Sequence, residues 1–251
     1  MISREDLRDY ARIKGLNLGQ AEKDYFQNII LFILFQEYGK TLVFKGGTAL
    51  SKCYGSSRFS EDLDFTCGED FRQDILERGL RRFGLEYSVK LRAYAVGKKL
   101  TLRIKGPLYI GTLPSQCTLI LDISFRENIV LTPEIIPLGS LLKEIPGFSV
   151  YVMDENEIFA EKVRVIMTRD KARDVYDLWF LLGKGIKFDF GLIEKKLEYY
   201  KDSWSKGKFI KAVQDKEKIW KTEMKPLIEN VPEFKEVKSL IAKSLENGPA
   251  G

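Results

Sequence analysis

Histidine is missing altogether from this 251-residue chain. Its absence removes imidazole acid–base catalysis, Ser-His-Asp triads and histidine-based zinc sites. Cysteine is scarce. Cys53, Cys67 and Cys117 stand apart, without metal-ligand spacing, and are expected as buried reduced thiols. Long apolar runs are missing too. The longest, Ile29 to Phe35, falls well short of the roughly 20 residues that a bilayer span needs. The stretch from Met1 to Asp9 is charged and has no apolar signal core, so a cytoplasmic protein without a membrane partner is expected. Internal repeats and low-complexity segments are also absent. Chemistry in this chain must therefore run on carboxylates, lysines, arginines, tyrosines or a metal held by oxygen.

What is present is an ordinary soluble balance, 44% hydrophobic and 31% charged, enough to bury a core. The length fits one large or two small domains. The net charge of +5 is a mild bias toward anionic partners and no proof of nucleic-acid binding.

The hydrophobic periods predict an α+β chain. Ser3 caps a first helix to Lys14, which Gly15 and Asn17 break. A second helix, Leu18 to Tyr38, is apolar most of the way round and is expected behind a sheet. A strand from Leu42 to Phe44, a helix from Thr48 to Tyr54 and a strand from Leu63 to Thr66 follow, then an amphipathic helix from Asp70 to Phe83. Period-two alternation marks strands at Glu86 to Tyr94 and Lys99 to Lys105, with a turn at Val96-Gly97-Lys98. A loop covers Pro107 to Pro114, and Cys117 to Phe125 is the strongest strand. Leu131 to Leu138 is extended, and Ser149 to Met153 is a short strand. From Asp154, which caps a helix to about Thr168, the chain is expected to be helical.

The chemistry concentrates in Phe44-Lys45-Gly46-Gly47-Thr48-Ala49-Leu50 and Arg58-Phe59-Ser60-Glu61-Asp62-Leu63-Asp64-Phe65. Two glycines between a strand and a helix let backbone approach a ligand closely. The helix N-terminus behind them offers unpaired N–H groups to a phosphate. Asp62 and Asp64, two apart on a strand, share a face and suit hard cations. Either feature alone is more often a plain turn or a solvated loop; their union in one strand–helix–strand unit is the signal. Asp122 interrupts an apolar strand. Such an acid must be paired with a base, sit at a strand end or bind metal, because burying it bare costs several kcal/mol.

The run Lys45 to Leu50 with Arg58 to Phe65 resembles the signature of the AbiEii-type nucleotidyltransferase toxins, a branch of the DNA polymerase β-like nucleotidyltransferase superfamily. Thr48 stands where serine is common in the superfamily, and the spacer Ala49 to Glu61 is long for the superfamily but normal for this branch. The resemblance implies a polymerase β-like mixed sheet flanked by helices, followed by a C-terminal helical bundle. It implies a nucleoside triphosphate substrate with its phosphates against Lys45, Gly46, Gly47 and Thr48. It also implies magnesium, in a two-ion site, held by Asp62, Asp64 and, as third carboxylate on a later strand, Asp122.

The C-terminal motif is similar as well: Glu161-Lys162, Arg169, and Arg173-Asp174 with Asp177-Leu178. Lys162, Arg169 and Arg173, with Arg58 and Ser60, would counter the triphosphate's charge. Asp174 and Asp177 would orient those cations or act on the acceptor. The plainer reading is a solvated helix face laced with ion pairs. Trp204 and Trp220 bracket Lys206, Lys208, Lys211, Lys216, Lys218 and Lys221. Rings among lysines suit RNA, but such a pattern is more often an amphipathic helix whose rings face the core.

Together these readings set the expectation of a nucleotidyltransferase domain with N-terminal helices over residues 1–150, a helical domain over 151–246 and a flexible tail over 247–251. The expected activity is transfer of a nucleoside monophosphate to RNA, at the 3′ end of tRNA, by the toxin of a toxin–antitoxin or phage-defence system with a cognate antitoxin. The alternatives are a protein or small-molecule acceptor, or a non-catalytic nucleotide-binding module on the same fold.

Overall fold

The computed structural model describes residues 1–68, 71–125, 128–139 and 144–246. The chain forms two units. The first comprises Met1–Ala49, Glu61–Asn128 and Pro133–Val152; the second comprises Leu50–Ser60, Ile129–Thr132 and the chain from Met153 onward. The main break, after Val152, lies close to the division expected at residue 150. Two short segments nevertheless cross the linear boundary and join the C-terminal helices. Residues 247–251, read from sequence as a flexible tail, lie outside the described residues.

The first unit is built on a seven-stranded mixed sheet. Its strands are β1 Leu42–Lys45, β2 Leu63–Cys67, β3 Tyr87–Tyr94, β4 Gly97–Ile104, β5 Cys117–Ser124, β6 Glu134–Leu138 and β7 Phe148–Val152, in the order β3-β4-β5-β2-β1-β7-β6. β2 runs parallel to β5, and β1 parallel to β7; the other neighbours are antiparallel. Pro137 lies in β6, an edge strand, where its missing N–H breaks no inner ladder.

Helix α1 (Arg4–Lys14) begins with a capping box. Ser3 Oγ accepts from the Asp6 N–H, and the Asp6 side chain accepts from the Ser3 backbone. Helix α2 (Leu18–Tyr38) starts with the same device, built from Asn17 and Gln20. Around α2, Tyr25, Phe26, Ile29, Ile30, Leu31 and Leu34 are fully or almost fully buried. Each such side chain contributes about 1.5–3 kcal/mol by leaving water. This helix packs on the strands β1, β5 and β7, as its all-round apolarity requires. Phe65 of β2 meets Phe44 at 5.5 Å and Phe35 of α2 at 6.4 Å between ring centres, which ties helix to sheet at the middle strands.

Several boundaries differ from the sequence reading, three of them by enough to matter. Helix α3 (Gly46–Cys53) begins at the first glycine, so the glycines form its first turn and do not precede it. Helix α4 (Gln73–Arg82) is shorter than expected, and the expected start at Asp70 lies outside the described residues. The β3–β4 turn is two residues, Ala95 and Val96, because Tyr94 pairs with Gly97.

The second unit is helical: α5 Glu155–Thr168, α6 Ala172–Gly183, α7 Phe190–Glu198, α8 Lys206–Asp215, α9 Glu217–Met224 and α10 Phe234–Glu246. Asp154 caps α5 through the Asn156 N–H. Rings of Phe159, Phe188 and Phe209 form one edge-to-face cluster. Glu157, fully buried, accepts N–H groups from Val130 and Leu131 and an ion pair from Lys196 at 2.5 Å. That carboxylate is what binds the segment Ile129–Thr132 to this unit.

Candidate active site

The sheet register assembles the first part of the site. Lys45 at the end of β1 is opposite Asp64 of β2, Asp64 is opposite Asp122 of β5, and Asp122 is opposite Lys99 of β4. Residues opposite one another in adjacent strands share a face, about 4.8 Å apart. Asp64 and Asp122 thus stand side by side, with a cation flanking each. Asp62 precedes β2 by one residue. Its carbonyl accepts a hydrogen bond from Thr48 Oγ1, which pins the first turn of α3 to the acid loop.

Gly46 is confined to glycine for two reasons. Its φ is +75°, a conformation costly to residues with a Cβ. A Cβ added there would lie 2.5 Å from Asp64 Oδ2. The first turn of α3 therefore runs directly against the Asp64 carboxylate. Gly47 and Thr48 follow in that turn, both buried, and the first amides of a helix have no intrahelical acceptor.

Asp122 corrects the sequence reading of a buried acid in an apolar strand. Burial in β5 alternates strictly: Cys117, Leu119, Leu121 and Ile123 are buried, while Thr118, Ile120, Asp122 and Ser124 are half-buried on the other face. Ile120 on the open face disguised that alternation. Asp122 Oδ1 accepts a hydrogen bond from the Tyr94 hydroxyl at 2.6 Å.

An all-oxygen set of carboxylates matches the donors that magnesium takes, and the register supplies two of them as neighbours. Among the described residues, however, no three acidic, cysteine or histidine side chains are gathered around one point. The register places Asp64 and Asp122 side by side on one face, without a third such side chain gathered to them among the described residues.

The other residues singled out from sequence belong to the second unit, where Arg58, Lys162, Arg169, Asp174 and Asp177 form a buried ionic network. Asp177 is fully buried. It accepts from Arg58 Nε at 2.5 Å and Nη2 at 2.6 Å, and it pairs with Lys162 Nζ at 2.6 Å. Asp174, also fully buried, pairs with Lys162 at 2.9 Å and accepts both Arg169 bonds at 2.7 Å. Burial pushes both carboxyls up, but the charges of Arg58 and Lys162 on Asp177, and of Lys162 and Arg169 on Asp174, outweigh it and hold them below the usual range. On Arg58, burial pulls the guanidinium down, yet the Asp177 charge leaves it raised.

These placements revise the expected roles. Asp177 has no open face to offer an acceptor, and Arg58 is 2% exposed with its fork spent on Asp177. Arg169, whose side chain is 47% exposed, is the network's outer member. Arg173 and Ser60 are half-buried. The plainer reading of a solvated, salt-bridged face fails as well, because the acids lie in the interior.

The lysine-rich segment also resolves toward packing. Trp220 is 1% exposed, donates its Nε1 to the Pro232 carbonyl at 2.9 Å and packs edge-on against Phe234. Trp204 packs on Phe190 and Phe209. Lys216 is buried beside Asp170. Trp220 thus faces the helical core, and Trp204, half-buried, packs on two of its rings. Among the cysteines, Cys67 and Cys117 are buried as expected, and burial pushes the Cys117 thiol up to about 12; Cys53 is half-exposed. No helix among the described residues is long and apolar enough to cross a membrane.

Sequence reasoning missed Lys99 and Arg92, which the register aligns with Asp122, and Tyr94, whose hydroxyl donates to it. Only pairing across β3, β4 and β5 could have revealed them.

Solved structures share this fold. The nucleotidyltransferase toxin MenT4, Rv2826c, from Mycobacterium tuberculosis H37Rv superposes with a TM-score of 0.67 at 20% identity, over 97% of this chain and 88% of that one. JHP933 from Helicobacter pylori gives 0.63 at 20% identity, over 91% of this chain and 90% of that one. A search of curated proteins finds no significant sequence match. The profile of the family described as "Nucleotidyl transferase AbiEii toxin, Type IV TA system" matches residues 29–243, a span that holds every residue of the acid row and of the buried network. The chain belongs to the AbiEii family of nucleotidyltransferase toxins of type IV toxin–antitoxin systems.

Proposed function

We propose that this protein transfers a nucleoside monophosphate from a nucleoside triphosphate to a hydroxyl of RNA, at the 3′ end of a tRNA, and that a cognate antitoxin counters it. The observation that carries this reading is the alignment of Asp64 with Asp122 beside a glycine whose missing Cβ makes room for the Asp64 carboxylate. A glycine-led helix start for phosphates and neighbouring carboxylates for cations are what phosphoryl transfer requires.

The triphosphate lies along the first turn of α3, with Gly46, Gly47 and Thr48 presenting their amides and Lys45 adding charge. Asp62, Asp64 and Asp122 would hold magnesium, which supplies charge stabilisation to the attacking and leaving oxygens. The acceptor oxygen attacks the α-phosphorus, the bond to the bridging oxygen breaks, and pyrophosphate leaves. Asp122 has Oδ1 engaged by Tyr94; its second oxygen takes the proton from the acceptor hydroxyl. The Arg58–Asp177–Lys162–Asp174–Arg169 network fixes the segment Leu50–Ser60 to α5 and α6, and Arg169 is its member nearest to solvent.

The test is incubation of the protein with each of the four α-labelled triphosphates and total RNA, with and without magnesium. RNA is then separated from protein and small molecules. Label on RNA only with magnesium, lost in Asp62→Ala with Asp64→Ala, is the expected result. Label on protein or on a small molecule would move the acceptor, and no label with any acceptor would leave a nucleotide-binding module.

A further inference from the structure

On the open face of the sheet, the row that carries the acids continues outward in positive charge. From Asp122 it runs to Lys99 and then Arg92, one strand at a time. Alongside, Lys90 pairs with Thr101, and Arg103 lies between Ser88 and Thr118. Alternation puts Lys99, Thr101 and Arg103 of β4 on this face, together with Ser88, Lys90, Arg92 and Tyr94 of β3. Lys90, Arg92 and Arg103 are exposed, and Lys99 is half-buried. The neighbouring cations Lys98 and Lys105 point elsewhere, to the Phe71 carbonyl and to Glu86. No acidic residue of β3 or β4 shares the face, since neither strand contains one.

We propose that this face of the β3–β4 hairpin is the track for the acceptor's phosphodiester backbone, with Lys90, Arg92, Lys99 and Arg103 as its cations and Asp122 at its inner end. The inference rests on the transferase reading above and adds a surface to it. Four like charges held on one rigid ribbon repel each other, and an extended polyanion relieves that repulsion by releasing its counterions. The ribbon spans about 10 Å across its strands and about 13 Å from Lys99 to Arg103 along β4, which suits several successive phosphates of one strand. The hydroxyls of Ser88, Thr101 and Thr118 lie among the cations, a mixture that phosphate oxygens accept from. The Tyr94 ring, 41% exposed, marks the junction between track and acids, where the terminal base would stack. Continuity with the acids favours nucleic acid over an acidic protein, because the chain end must arrive at Asp122.

The test measures binding of a fluorescent single-stranded RNA oligonucleotide to the full chain as a function of salt. It compares the wild type with Lys90→Gln/Arg92→Gln/Arg103→Gln and with Lys206→Gln/Lys211→Gln/Lys218→Gln. The first variant is expected to lose at least about tenfold in affinity and to lower the slope of log affinity against log salt by about 2, near 0.7 per lost phosphate contact. The second is expected to bind as the wild type does. Triphosphate binding, followed in parallel, is expected to be unchanged in both, which also shows that they are folded. Unchanged RNA binding by the hairpin variant overturns the track, as does equal loss in both variants or loss in the second alone. Absence of RNA binding by the wild type overturns it too. So does displacement of the RNA by polyglutamate at equal charge concentration, since that assigns the face to an acidic protein. Wild-type transfer to RNA in any of these cases leaves the transferase reading standing; absence of metal-dependent transfer to any acceptor ends that reading separately.

Discussion

Asp64 and Asp122 stand opposite one another on neighbouring parallel strands, and Gly46 presses its bare α-carbon against the first of them. Gly46→Ala tests that relationship. The substitution introduces strain of about 1–2 kcal/mol from its positive φ and drives a methyl group into Asp64 Oδ2. Gly15→Ala is the control, with a φ of 64° and nothing within 4 Å of the added carbon. Gly15→Ala is expected to lose only the strain term in urea titrations and Gly46→Ala somewhat more, while Gly46→Ala alone loses nucleotide transfer.

The network around Asp177 is expected to behave as a buried charge system. Asp177→Ala leaves Arg58 and Lys162 without their shared partner and should cost about 3–5 kcal/mol in chemical denaturation. Joint replacement, Arg58→Met with Asp177→Leu, should cost clearly less, because no lone charge stays inside. Arg169→Ala, at the half-exposed edge, should cost the least of the three.

Much of the fold could be read directly from the chain. Asn17 and Gln20 announce the start of α2, and an apolar circumference announces its burial. The acid pair and its glycine turn were legible because strand period and helix start are local signals. Other features were not local. Arg58 and Asp177 are 119 positions apart, so nothing in their spacing shows that each satisfies the other. Arg92 and Lys99 acquire meaning only once register places them in the row of Asp122. Trp204 and Trp220 left two readings open, because rings at helical spacing look alike in sequence whether they face solvent or core; Trp220 takes the more frequent one.

Acid should reach the second unit through the same network. Asp174 and Asp177 have carboxyls held below their ordinary 3.8, so their ion pairs contribute full stability above that value. The contribution is lost as pH falls through the lower folded values. The urea midpoint of the wild type is expected to drop with pH below about 4, more steeply than that of Asp174→Asn/Asp177→Asn, which has no such carboxylates to protonate. Parallel curves for the two proteins would contradict the assignment.

Trp220→Ala separates packing from RNA contact. It empties a fully enclosed site and removes the bond to the Pro232 carbonyl, at an expected cost of about 3–5 kcal/mol. RNA affinity under conditions where the variant stays folded should match that of the wild type. A stable variant with weakened RNA binding would return this ring to the nucleic-acid surface.

The most direct test of the whole account is manganese binding, followed by electron paramagnetic resonance with a non-hydrolysable triphosphate present. The account predicts a bound ion in the wild type that is lost in both Asp64→Asn and Asp122→Asn while the triphosphate remains bound more weakly. Manganese bound with wild-type affinity by both variants would contradict it.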